Sequence, residues 1–263
     1  MTRSYLSSAR IDALKGELAP KEQAILGFLS ELRLASASQI ERLFFHADTA
    51  RNRRRVLEAM TERGLLFRLD RTIGGKRAGS VGYLYALGLA GRRILAQGQP
   101  QRVRQASTPG APFLLHTLAV TEIAVRLHEV ERQGLVEVME FQGEPRSWRR
   151  YPGPGGGQLH CKPDAYIRLG IGQFSDDYFL EVDRGTESPA TLTRQLEAYR
   201  RYWASGIEQS WRGVFPRVLW LVPDERRQQV LVDLCSRQPA ESWKLHLVTT
   251  YENAIATMTE GTS

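Results

Sequence analysis

Cysteine is scarce in this sequence, and long apolar runs are missing. Cys161 and Cys235 show neither the paired spacing of a zinc site nor the density of a disulfide scaffold. The longest apolar runs, such as 218–222, are far shorter than the roughly 20 residues that cross a bilayer. The first residues also lack the apolar segment of a secretory signal. These absences predict a reduced, cytoplasmic protein that has no membrane contact.

Acidic residues are sparse in the first part of the chain. Residues 1–110 contain 19 Lys and Arg against 9 Asp and Glu, whereas residues 111–263 contain 17 against 20. The length of 263 residues favours two domains over one. A basic block beside a mildly acidic one indicates that one domain meets a polyanion such as double-stranded DNA. A solvated basic surface without such a partner is the alternative.

Three helices are predicted before residue 65 from apolar periodicity and capping residues. Pro20 opens the first helix, and Ser36 or Ser38 caps the second after a short connection. Asp48 is predicted to cap the third helix, which Gly64 ends. The tight connection between the first and second helices is typical of a helix-turn-helix.

A basic hairpin is predicted after these helices. Two apolar strands, 65–69 and 83–86, flank a tip that is rich in Gly, Lys and Arg, and a helix over 87–96 follows. Lys76 and Arg77 at the tip are predicted to contact phosphates of the DNA backbone. The order of elements therefore predicts a winged helix-turn-helix domain, with a domain used only for protein contacts as the alternative.

The third helix carries its basic residues in its N-terminal half. A helix N-terminus is already the positive end of the helix dipole, so arginines crowded there predict an anionic partner. Recognition helices commonly place their N-terminal residues at base edges, with flanking cations on phosphates. The predicted DNA contacts in this helix are Arg51, Asn52, Arg53, Arg54 and Arg55.

The chain is predicted to belong to the α+β class, with a winged helix-turn-helix over 1–97, a linker over 98–112 and an α/β domain over 113–263. The last domain is predicted to hold a mixed central sheet flanked by helices, with a flexible loop at 152–157. Its α-β-β-β-α-β order is typical of a restriction-endonuclease-like core. The predicted helices start near 113, 188 and 224, and the strands are 135–141, 165–169, 178–183, 218–222 and 244–249.

Three carboxylates are predicted to meet at the ends of two neighbouring strands. Asp164 begins the second strand, and Glu181 and Asp183 lie two apart on the third, so that both point to one face. Together they could hold Mg²⁺ or Mn²⁺, which would activate water against a phosphodiester. Glu122 in the first helix of the domain is a further candidate ligand.

The candidate catalytic residues also include groups from the next helix. Gln195 and Tyr199 lie one turn apart on one helix face, and Lys162 precedes the second strand. The plainer alternatives are that Asp164 only begins a strand, that Tyr199 belongs to the core, and that the two acidic residues of the third strand form a surface ion-pair cluster.

Several segments resemble the replication-relaxation family of plasmids and mobile elements. The resemblance covers about 21–245 and is carried by 62–66 (ERGLL), 85–93, 113–120 (FLLHTLAV), 162–165 (KPDA) and 179–188 (FLEVDRGTES). It implies a DNA-binding protein that acts in plasmid replication or in relaxation of DNA before transfer. A relaxase or replication protein is the partner that such a role implies, and a homodimer is left open.

The C-terminal part is also similar to the PD-(D/E)xK nucleases. The similarity rests on Asp164 after proline, on Glu181-x-Asp183, and on 195–199 (QLEAY), which resembles a motif of the recombination-exonuclease branch. The lysine of that pattern is replaced by Asp183. Some restriction enzymes work with an acidic residue at this position, and Lys162 or Arg184 is the alternative source of the missing cation.

Two functions follow from these resemblances. We predict a non-enzymatic DNA-binding accessory protein whose nuclease-like domain is degenerate. The alternative is a Mg²⁺-dependent deoxyribonuclease that the winged helix targets to its site. A transcriptional repressor with a ligand-sensing C-terminal domain fits less well, because it leaves the carboxylates without a role.

Overall fold

The computed structural model describes residues 6–45, 48–69, 82–96, 110–153 and 155–259. These residues form eleven helices and ten strands, and the strands make one five-stranded mixed sheet and two smaller antiparallel sheets. The predicted α+β class with a mixed central sheet is therefore confirmed. None of the helices in the described ranges is long and apolar enough to cross a membrane.

The described chain divides into two units, one that runs up to Val125 and one that starts at Arg126. The division lies inside a single helix, α6 (Ala111–Arg132). The predicted linker, 98–112, falls mostly outside the described residues, as do Lys76 and Arg77 at the predicted hairpin tip.

The first unit contains five helices before α6 and a three-stranded sheet of order β1-β3-β2, in which each neighbouring pair is antiparallel. Its elements are α1 (Ser8–Gly16), α2 (Pro20–Leu32), β1 (Ala35–Ser36), α3 (Ala37–Phe44), α4 (Ala50–Glu62), β2 (Leu66–Leu69), β3 (Leu84–Leu87) and α5 (Leu89–Leu95). Helix α1 and strand β1 were not predicted. The other elements agree with the predicted positions to within about two residues.

Local hydrogen bonds explain where helices α3 and α4 begin. Ser36 Oγ accepts from the backbone N–H of Gln39 at 3.2 Å, and the Gln39 side chain accepts from the Ser36 N–H at 3.0 Å, so that both ends of a capping box are present. The prediction that Asp48 caps α4 was wrong. Thr49 is the cap, because its Oγ1 accepts from the Asn52 N–H at 3.3 Å.

Helix α5 packs so closely on the turn between α4 and β2 that it requires glycine. A Cβ on Gly88 would lie 2.1 Å from the carbonyl oxygen of Gly64, and one on Gly91 would lie 2.3 Å from that of Leu65. Gly64 itself has φ +69°, the left-handed conformation that ends α4. The core beneath these elements is built from Ile25, Leu29, Ile40, Leu57, Met60, Leu66 and Ala90.

The second unit is built around a five-stranded sheet of order β10-β9-β8-β7-β4. Strands β8, β9 and β10 are parallel, whereas β4, β7 and β8 are antiparallel. Its elements after α6 are β4 (Glu137–Gly143), β5 (Arg149–Pro152), β6 (Gln158–Cys161), β7 (Ala165–Ile171), β8 (Phe174–Val182), α7 (Pro189–Ala204), α8 (Ile207–Arg212), β9 (Arg217–Val222), α9 (Glu225–Ser236), α10 (Ala240–Trp243), β10 (His246–Thr250) and α11 (Ala254–Thr259).

The hairpin of β5 and β6 was not predicted, because only its connecting loop was recognised. Strand β5 alternates buried and exposed residues, but one of its buried residues is Arg149, which hides the apolar alternation. The guanidinium of Arg149 is held by the fully buried Glu208 of α8, at 3.2 Å between Nε and Oε2. Sequence patterning therefore predicts a surface position at Arg149, whereas the structure buries this residue in the core.

Helices α7 and α9 cover one face of the five-stranded sheet. Phe179 of β8 packs there against Leu196 and Tyr202 of α7, beside Trp220 of β9 and Leu231 of α9. Because successive strand residues point to opposite faces, Glu181 of β8 and Asp183, directly after the strand, come next on this face. The acidic residues of the sequence motif thus point towards these two helices.

Candidate functional site

The arginines of α4 divide into two groups. Arg53 lies along the protein: its Nε is 3.2 Å from the Glu41 carboxylate, and its Nη1 donates to the Asp48 carbonyl at 3.2 Å. Arg55 donates to Asn52 Oδ1 at 3.0 Å, while the Asn52 amide donates to the Asp48 carboxylate at 2.6 Å. The structure therefore gives Asn52, Arg53 and Arg55 partners within the protein.

Arg51 and Arg54 are exposed, and neither guanidinium has a partner in the part of the chain that the structure describes. They lie three residues apart, so they project from one side of α4. The first turn of this helix contains no acidic residue. The helix dipole and the arginines therefore add to one positive surface, which consists of Arg51 and Arg54 with Arg55 one residue further on.

Glu122, which was a candidate metal ligand, is held by side chains of the first unit. Arg42 donates to its Oε1 at 2.6 Å, and the Gln39 amide donates to its Oε2 at 3.0 Å. Both carboxylate oxygens are therefore engaged in joining α6 to α3.

The carboxylates of Asp164, Glu181 and Asp183 are all buried in the second unit. Asp164 precedes β7, and its Oδ2 accepts from the Val182 N–H of β8 at 2.7 Å. This bond ties the start of one strand to the end of its neighbour. The reading of the strand β8 residues as a surface ion-pair cluster was wrong, because both carboxylates lie under α7 and α9.

Glu181 is paired with Tyr199 of α7. The tyrosine hydroxyl donates to Glu181 Oε1 at 2.5 Å. Burial raises the pKa of the Glu181 carboxyl well above its ordinary value, and the nearby Asp164 carboxylate raises it further, whereas the bond from Tyr199 lowers it. The net rise favours the protonated form of Glu181, which is a poor ligand for a hard cation.

Asp183 is paired with Arg227 of α9, a residue that the sequence analysis missed. Arg227 Nε donates to Asp183 Oδ2 at 2.5 Å, the Gly185 N–H donates to Oδ1 at 2.8 Å, and the guanidinium also reaches the Glu187 carbonyl at 2.8 Å. Lys162 or Arg184 was predicted as a source of cationic charge for this cluster, whereas the cation bonded to Asp183 is Arg227. The Lys162 ammonium instead lies 4.7 Å from the ring centre of Trp148.

One signal in the sequence pointed to Arg227. It lies in the first turn of α9, after the cap residue Asp224, where the helix dipole is positive. The argument applied to the arginines of α4 also predicts an anionic partner here, and the partner is the buried Asp183.

These carboxylates do not fit Mg²⁺ or Mn²⁺ in the observed arrangement. Asp164, Glu181 and Asp183 each accept a hydrogen bond from a protein donor, and Asp183 already has a cation. Within the described ranges, no three His, Cys, Asp or Glu side chains are placed to hold a metal ion. A divalent ion would have to displace Arg227 from Asp183 and the Tyr199 hydroxyl from Glu181.

We therefore expect that millimolar Mg²⁺ or Mn²⁺ leaves the melting temperature of the protein unchanged and that supercoiled plasmid is not nicked. Ligand linkage makes thermal unfolding a direct measure of metal binding, and gel electrophoresis detects the nicking. Asp164→Asn is the test variant, and Asp233→Asn on the exposed side of α9 is the control. Metal-dependent nicking that is lost in Asp164→Asn and kept in Asp233→Asn would establish the nuclease alternative.

A cavity of about 380 Å³ lies beside the pair of Glu181 and Tyr199. Lys162 and Gln195 also line it, so the structure brings four of the six candidate catalytic residues together around one space. The other two, Asp164 and Asp183, are bonded to the backbone and to Arg227. Tyr199 is both a core residue, as the plainer alternative held, and the partner of Glu181.

Comparison with known proteins gives a family. The replication-relaxation family model matches residues 26–218. Among solved structures, this chain is similar to restriction endonuclease FokI bound to DNA, at 12% sequence identity over 89% of this chain and 43% of the FokI chain. The chain thus spans less than half of that protein, and the TM-score of 0.28 is too low to establish a common fold. No curated protein matches the sequence. Because the family model covers most of its length, this protein belongs to the replication-relaxation family.

Proposed function

We propose that this protein binds double-stranded DNA through the N-terminal half of α4 and acts, without cutting the DNA, in the replication or relaxation of a plasmid or mobile element. The observation that carries the proposal is the exposed pair Arg51 and Arg54 at the positive end of a helix, where neither has a partner among the described residues. A surface of this kind gains most from an anionic partner such as a phosphate backbone.

The order of elements in the first unit supports a winged helix-turn-helix. Helices α3 and α4 are joined by a short connection, and β2 and β3 form an antiparallel pair that follows them. Leu57 and Met60 anchor the C-terminal half of α4 in the core, which leaves its N-terminal half exposed. That is how a recognition helix is presented to a major groove.

The second unit supports a nuclease-like domain that has lost its metal site. Its carboxylates stand where the PD-(D/E)xK resemblance implies catalysis, yet Arg227 neutralises one and Tyr199 binds another. We propose that this domain serves as a binding scaffold, for DNA or for a relaxase or replication protein. The membership of the family supports the role in replication or relaxation.

The double variant Arg51→Ala/Arg54→Ala tests the proposal. We expect it to bind a duplex at least tenfold more weakly, because two phosphate contacts are lost. The slope of log affinity against log salt concentration should become shallower by about 2. Fluorescence anisotropy with a labelled duplex at several salt concentrations measures both quantities.

Arg53→Ala is the matched control. It removes one positive charge from the same helix, but that charge is already paired with Glu41. We expect the salt slope of this variant to change by less than half a unit. The melting temperatures of all variants should stay close to that of the wild type. If the double variant keeps its affinity and slope, helix α4 is not the DNA interface.

A further inference from the structure

We propose that the cavity beside Glu181 and Tyr199 binds a nucleoside monophosphate group, with the phosphate at its rim and the base in its interior. The group could be a free nucleotide or the end of a nucleic acid strand, which have the same chemistry. This site lies wholly in the second unit and does not depend on the proposed role of α4.

The rim of the cavity is cationic. His160, Lys162 and Arg194 line it and are exposed, and none of them is paired with a carboxylate within the described residues. Arg194 has one modest contact, a 3.2 Å bond from its guanidinium to Thr191 Oγ1, and Lys162 rests on the ring of Trp148. Two fixed positive charges and an imidazole at one opening match the charge of a phosphate group.

The interior of the cavity offers hydrogen-bond acceptors. Gln195 Oε1 is buried and has no hydrogen-bond partner in the described structure, although such atoms are normally satisfied. Glu181 lies beside it with one oxygen bound to Tyr199. An unsatisfied acceptor in a cavity is completed by a ligand that carries an N–H group, and the exocyclic amino group of adenine or cytosine is such a donor.

The shape of the site also suits a nucleotide. Its volume of about 380 Å³ lies in the range of small-ligand pockets, which is roughly 300–1,000 Å³. A phosphate alone would use the rim but would leave Gln195 unsatisfied. A nucleotide uses the cationic opening and the interior acceptors together, so we assign the site to this class.

Isothermal titration calorimetry of the full chain tests the assignment with dAMP, dTMP and inorganic phosphate. We expect dAMP to bind at least tenfold more tightly than phosphate, and dTMP to bind more tightly than phosphate as well, because its base offers a ring N–H donor. Lys162→Ala/Arg194→Ala should weaken dAMP binding at least tenfold. Gln195→Ala should weaken dAMP binding but leave phosphate binding unchanged.

The control variant is Arg200→Ala/Arg201→Ala, which removes two charges from α7 next to Glu197 and should bind dAMP like the wild type. A 5′-phosphorylated single strand, compared with its 5′-hydroxyl form, tells whether a strand end also enters the site. Absence of dAMP binding at millimolar concentration, equal affinity for phosphate and dAMP, or an unchanged rim variant would overturn the assignment. Arg51→Ala/Arg54→Ala should keep dAMP binding, so failure of the duplex proposal is seen separately.

Discussion

Glu208→Ala should lower the free energy of unfolding by about 3–5 kcal/mol, because it leaves a buried arginine without its counter-ion. Glu208 is 0% exposed and Arg149 is 7% exposed. The carboxylate also lies 3.2 Å from Arg212 Nε and accepts a hydrogen bond from the hydroxyl of Tyr202. Removing it therefore leaves the Arg149 guanidinium without a carboxylate and the Tyr202 hydroxyl without its acceptor, whereas Arg212 keeps its ion pair with Glu140.

Urea unfolding followed by circular dichroism measures this loss. The matched control is Glu197→Ala, which removes a half-exposed carboxylate that is 2.7 Å from Arg200 on α7 and should cost less than about 1 kcal/mol. A Glu208→Leu/Arg149→Met pair should be more stable than either single variant, since no charge is then left unpaired. Equal losses in Glu208→Ala and Glu197→Ala would mean that the buried pair does not stabilise the fold.

Arg227→Ala should lower the free energy of unfolding by about 3 kcal/mol, because the buried Asp183 carboxylate then loses its cation. Of the donors in the described part of the chain, the Gly185 N–H would still donate to that side chain. Arg226→Ala is the control, since it changes the neighbouring, exposed arginine of the same helix. Differential scanning calorimetry compares the two variants under one set of conditions.

A second substitution shows whether the loss comes from the charge. In the background of Arg227→Ala, Asp183→Asn removes the unpaired carboxylate and should restore part of the lost stability. If Arg227→Ala is no less stable than Arg226→Ala, the ion pair does not hold the end of β8 to the start of α9. Arg227 would then be no barrier to a metal ion at Asp183.

Two of the carboxylates in the nuclease-like pattern have protein partners, since Tyr199 donates to Glu181 and Arg227 donates to Asp183. The motif at 164, 181 and 183 was recognisable because strand alternation and turn residues are local. The partners of these carboxylates, Tyr199 and Arg227, belong to helices α7 and α9, which lie outside the motif. Whether a carboxylate holds a metal or a protein donor depends on those partners, and no spacing within the motif reveals them.

The same distinction appears in helix α4. Local signals located this helix and the crowding of basic residues at its start, because capping and helix periodicity involve residues three or four apart. They could not separate Arg53 from Arg51 and Arg54. That separation depends on Glu41, which belongs to α3, and it leaves Arg51 and Arg54 without a partner in the described ranges.

Most helix and strand positions followed from the sequence, since apolar spacing and caps such as Ser36, Ser188 and Asp224 act through neighbouring residues. Helix α1 was not predicted, because only two of its residues, Ile11 and Leu14, are buried in the core of the first unit. The cavity, its cationic rim and the unsatisfied Gln195 became visible only in the folded chain, because they arise where β6 and α7 come together. Short-range hydrogen bonds join residues that are close in sequence, so the sequence predicts them. Charge pairs and cavities form between distant segments, which come into contact only when the chain packs.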